Sequence, residues 1–214
     1  MKVSVNSLLL AALSLALLSW FSAASSSAPA AGNATKVKPS QATVTLLREH
    51  AAFSAPQAGA KIVRIVQAQR PLTREQTVLP LVGRTTGAHG MKWLRVLLPG
   101  RPNSGSGWIS ARATRLGTTR WHIVVHTTTR RVFVYRAGRL ARVFVAIVGK
   151  PSTPTPHGAF FVEEDVALPQ SAVGAPYALA LSARSNVLQE FHGGPGQIAL
   201  HGLDHVGGTL GTAV

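Results

Sequence analysis

A chain of 214 residues, 46% of them apolar and 14% charged, has enough hydrophobic content to bury a core and too much for a disordered polyelectrolyte. Its formal net charge is +15 with a pI near 11.8, and the absence of cysteine excludes disulfides, zinc-thiolate sites, acylated lipoprotein cysteines and thiol nucleophiles from these residues. The charge is unevenly placed: Lys36 to Arg120 holds fourteen Lys/Arg against Glu49 and Glu75, whereas from Trp121 onward seven face Glu163, Glu164, Asp165, Glu190 and Asp204.

The N-terminus carries a cation at Lys2, an apolar stretch from Leu8 to Leu18 and then small residues at Ser22, Ala23 and Ala24. This is the plan of a secretory signal peptide, assigned to residues 1–24, and the apolar stretch is short for a membrane span. An uncleaved N-terminal anchor is the alternative. Export makes cell-envelope polymers and anionic headgroups, rather than nucleic acid, the polyanions within reach. The bases are scattered singly, so a solvated basic face is the plainer reading of the same charge. Residues 25–40, SSSAPAAGNATKVKPS, are small, polar and Pro-containing and read as a flexible tether.

Short β-type runs follow to about Gly117: Ala60–Val66, Thr77–Val82, MKWLRVLL and GWISAR, each bounded by turn formers. Alternation is expected to keep Trp93 and Val96 off the face that carries Arg95, and RPNSGSG supplies a hairpin loop before Trp108. The stretch VLPLVGRTTGAHGMKWLRVLLPGRPNSGSGWISA resembles a bacterial SH3-like module, taken as residues 41–117. The resemblance implies a small barrel that binds peptides or wall polymers. By themselves, Trp93 and Trp108 read as core or groove-wall aromatics rather than as ligand readers.

From residue 120 the chain becomes more apolar. Ile123–Val125, Val132–Tyr135 and Leu140–Val148, with Ala137-Gly138 at a hairpin turn, predict a meander. Pro154 and Pro156 then hold an extended, helix-free loop that delivers Gly158 and a Phe160–Val162 strand. The run from Gly149-Lys150 through Thr153-Pro154-Thr155-Pro156 to His157-Gly158-Ala159-Phe160 resembles the signature loop of the L,D-transpeptidase (YkuD-like) catalytic domain, with His157 in place of a small polar residue.

Leu200-His201-Gly202 matches that family's "IHG" element, and Gly207-Gly208-Thr209-Leu210-Gly211 matches its glycine-rich turn. The family's S-H-G-C nucleophile motif is expected next, after Val214, so residues 120–214 read as a C-terminally incomplete transpeptidase domain. The resemblance implies acyl transfer on peptidoglycan stem peptides without metal or cofactor: a cysteine attacks an L,D-amide, D-alanine leaves, and a neighbouring amine resolves the thioester. His201 would be the general base that ionises the thiol, and Gly202 and Gly211 would let backbone approach the substrate pocket. With no cysteine in the sequence, the chain as it stands is expected to be inactive.

Other readings weigh the same residues differently. His201 and His205, with Asp204 between them and His192 nearby, have metal-ligand spacing on a helix, although GLDHVGGTLG is a poor helix former. A Ser-His-Asp hydrolase would need a G-x-S-x-G elbow, which does not occur. His122 and His126 have no role that the sequence argues. The expected architecture is mainly β: an SH3-like barrel followed by a β-rich transpeptidase domain. A non-catalytic secreted wall-binding protein is the alternative function, and the sequence leaves the oligomeric state open.

Overall fold

A computed structural model describes residues 36–190 and 194–214. The signal peptide assigned to residues 1–24, most of the 25–40 tether, and His192 lie outside the described residues. The fold is mainly β, built from antiparallel sheets, as the alternating pattern and the near absence of helical periodicity require.

Seven strands come from the first stretch: β1 (Gln41–Leu46), β2 (His50–Phe53), β3 (Ile62–Val66), β4 (Val78–Thr86), β5 (Lys92–Leu97), β6 (Ser106–Ser110) and β7 (Thr114–Thr119). They form one sheet in the order β3-β2-β6-β5-β4-β1-β7. Period two decides what is buried: Leu79 and Leu81 of β4 point inward while Val78 and Val82 face out. Val44, Leu46, Val96 and Ile109 complete the best-buried part of this core.

The alternation in β5 corrects one expectation. Trp93 and Arg95 are two residues apart and so share a face, opposite Leu94 and Val96. Trp93 is nevertheless buried, because Phe53 meets it edge to face at 5.7 Å. Gly87 makes room for it, since a Cβ there would lie 2.9 Å from the indole nitrogen. Arg95 stays exposed opposite the half-buried Trp108.

The second stretch forms two three-stranded sheets. β8 (Trp121–His126), β9 (Arg131–Arg136) and β10 (Arg139–Val145) make the expected meander in the order β10-β9-β8, with Ala137 and Gly138 at positive φ in the tight turn. β11 (Val162–Ala167), β12 (Tyr177–Arg184) and β13 (Gln197–His201) follow in the order β11-β12-β13. Between β10 and β11 the proline loop closes on itself, the Gly149 amide donating to Thr155 Oγ1 at 2.9 Å. The last residues run alongside it, with Val148 pairing to Ala213 in parallel.

The strand after that loop begins at Val162, later than the sequence suggests. Phe161 is diverted to pack on the core of the first sheet, with its amide donating to Ser182 Oγ at 3.0 Å. It lies on a polar seam within the Thr35–Val214 unit. Glu163 of β11 is clamped between Arg70 Nη1 at 3.3 Å and Arg184 Nη2 at 3.1 Å. Neighbouring Glu164, also buried, accepts the Leu72 and Thr73 amides at 3.1 and 2.8 Å. From the β5–β6 loop, Gly100 N donates to Ser182 O, Arg101 donates to the Ser185, Leu188 and Pro195 carbonyls, and Asn103 brackets the Arg184 backbone.

Candidate active site

His201 is the last residue of β13, paired in register with Ala178 of β12. Strand pairing fixes its backbone, and its side chain emerges exposed at the sheet's end. The ring Nδ1 lies 2.8 Å from the Gly202 carbonyl oxygen. A carbonyl can only accept, so Nδ1 carries the proton and the Nε2 lone pair is left to take one. That is the tautomer a general base acting through Nε2 requires.

Gly202 turns the chain out of the strand. Its amide is shared between Gly174 O at 2.8 Å and Tyr177 O at 3.2 Å. A Cβ on Gly202 would fall 1.9 Å from the Ala175 carbonyl oxygen, so only glycine lets the two backbones approach this closely. The facing turn is Val173-Gly174-Ala175-Pro176, and the Gly174 amide donates back to Asp204 O at 2.8 Å. Two glycines and a reciprocal set of backbone bonds therefore bind the residues around His201 to the loop before β12.

Gly211, the third residue singled out from sequence, belongs to a different element. Its amide donates to Ala146 O just beyond β10, and its φ of +84° is a left-handed conformation suited to glycine. His201 and Gly202 are thus brought together by β13, and Gly211 by the parallel pairing of the terminal segment with residues 146–150.

The spacing of His201 and His205 is not helical here. His205 sits in a turn at φ 58°, its Nε2 donating to Gln170 O at 3.1 Å. Among the described residues no group of three His, Cys, Asp or Glu side chains is placed to hold a metal ion. Sequence reasoning missed Gly174, whose signal was only a Gly-Ala-Pro turn with no obvious link to His201.

Searches of curated proteins and of solved structures return no match. A family model does match: residues 120–212, which hold β8 to β13 and with them His201, Gly202 and Gly211, are similar to the YkuD model, described as the L,D-transpeptidase catalytic domain.

Proposed function

We propose that residues 120–214 serve acyl transfer on peptidoglycan stem peptides, with His201 as the general base. The observation that carries this reading is the His201 imidazole, exposed at the end of β13 with Nδ1 bound to the Gly202 carbonyl and Nε2 left as the acceptor. In the reaction, Nε2 removes the proton of a cysteine thiol and the thiolate adds to the L,D-amide carbonyl. The C–N bond then breaks with D-alanine leaving as the amine, to which the imidazolium returns the proton. The amine of a second stem peptide cleaves the thioester and completes the crosslink. The chemistry needs no metal or cofactor.

The thiol is the part these residues do not contain. Residues 1–214 alone are therefore expected to be inactive on tetrapeptide stems and to form no adduct with a carbapenem. Intact mass after incubation is the test, and a covalent β-lactam adduct would overturn that expectation. Supplying a Ser-His-Gly-Cys segment after Val214 should then create carbapenem acylation that His201→Ala abolishes. Acylation that survives His201→Ala would remove His201 from the role of base.

The net charge of +15 also supports a second reading, a non-catalytic wall-binding protein. Under both readings the protein is exported to the cell envelope, and residues 41–117 form an SH3-like module that meets peptides or anionic wall polymers. No acylation after a thiol is supplied, with wall binding intact, would favour the second.

A further inference from the structure

We propose that Gly174 is a positioning residue for the His201 imidazole, a role that rests on reading His201 as the base. Gly174 lies in the turn before β12, remote in sequence from β13, yet its α-carbon faces the histidine ring. A Cβ built on it would stand 2.6 Å from Nδ1, 2.9 Å from Cγ and 3.1 Å from the histidine Cβ. These are the near atoms of the side chain, not a flexible tip, so any side chain at this position forces the ring to rotate about χ1.

The ring cannot rotate and keep its bond to the Gly202 oxygen at 2.8 Å. Gly174 also has a φ of +85°, which only glycine adopts without strain. Its own backbone anchors the arrangement from both sides. Its carbonyl accepts the Gly202 amide and its amide donates to Asp204 O, both at 2.8 Å, so the turn is held to the residue whose carbonyl also takes the ring Nδ1–H and to the chain three residues beyond the base. Gly174 thereby keeps the proton on Nδ1 and the lone pair on Nε2. It acts through His201 and touches no reacting atom.

The experiment is ring-nitrogen NMR on the 15N-labelled chain at about pH 8, above the ordinary imidazole range. Wild-type His201 should show the Nδ1–H tautomer as the dominant form, with nuclear Overhauser contacts from the Gly174 α-protons to the ring. In Gly174→Ala that dominance should be lost and the Nε2–H form should prevail. Gly90→Ala controls for backbone strain, because Gly90 has a φ of +71° but open space around its α-carbon, and it should leave the His201 tautomer unchanged. Retention of the Nδ1–H form in Gly174→Ala, or equal loss in Gly90→Ala, would overturn the proposal. So would the absence of Gly174-to-ring contacts in the wild type, a result that stands even if the variant does not fold. No thiol enters this measurement. A chain that passes it but is never acylated once a cysteine is supplied would sink the functional reading and leave the positioning role in place.

Discussion

His201 and Gly202 are adjacent in sequence but are constrained for opposite reasons. The imidazole is exposed and its ring bonds to the next residue's carbonyl, so little of the fold depends on it. His201→Ala is expected to change unfolding free energy by no more than about 0.5 kcal/mol. Gly202→Ala must displace the Ala175 carbonyl from a 1.9 Å approach and should cost at least about 2 kcal/mol. Urea denaturation of the two variants checks both values, and a silent Gly202→Ala would mean that the β12 and β13 ends are not joined as described. The motif made this pair legible in the sequence. Gly174 was not legible, because its demand for glycine comes from a ring contributed by a distant strand, and no local pattern records such a contact.

At the level of elements, alternation made most strands readable, while the seam between sheets was hidden. Glu163, Glu164 and Asp165 look like solvated acids in sequence, yet the first two are buried between β11 and the loop that follows β3. Burial pushes the Glu163 carboxyl above its usual range, against the opposing pull of Arg184 and Arg70, and the same burial lowers Arg70. A raised carboxylate binds its proton more tightly when folded. The stability it contributes is therefore present below the ordinary carboxylate range and is lost as pH rises through the raised value. Glu163→Gln should accordingly match or exceed wild-type stability near neutral pH, with the difference closing as acid protonates the wild-type carboxyl. Denaturant midpoints at about pH 7 and pH 4 test this, and a loss of more than about 2 kcal/mol in the variant at neutral pH would show that the ion pairs are net stabilising. Glu164→Ala should instead destabilise, by about 1–3 kcal/mol, because it strands the Leu72 and Thr73 amides.

At the scale of the molecule, the basic residues are concentrated in one stretch of the chain. The fourteen Lys/Arg between Lys36 and Arg120 predict salt-sensitive retention on insoluble cell wall, and binding unchanged between low and high salt would argue against an electrostatic origin. The hydrophobic core cluster is drawn from the first sheet and its flanks, with Phe161 reaching across to it. The β8–β10 sheet is served less well. Its edge strand β10 carries Leu140, Val143, Phe144 and Val145 all exposed, Phe144 at 53%, and its outer backbone edge lies at the end of the strand order. An edge strand with apolar residues on both faces is a template for pairing with another chain, and only Arg139 and Arg142 oppose that. The chain is therefore expected to associate through β10 at high concentration. Phe144→Lys places a charge in the middle of the patch, and the lysine stem can cover the half of the site that Phe144 buries. It should lower light scattering on concentration while moving the denaturation midpoint by no more than about 0.5 kcal/mol equivalent. If scattering persists unchanged, association runs through another surface. If the variant loses substantial stability, Phe144 is covered in solution and the β10 face already has an occupant.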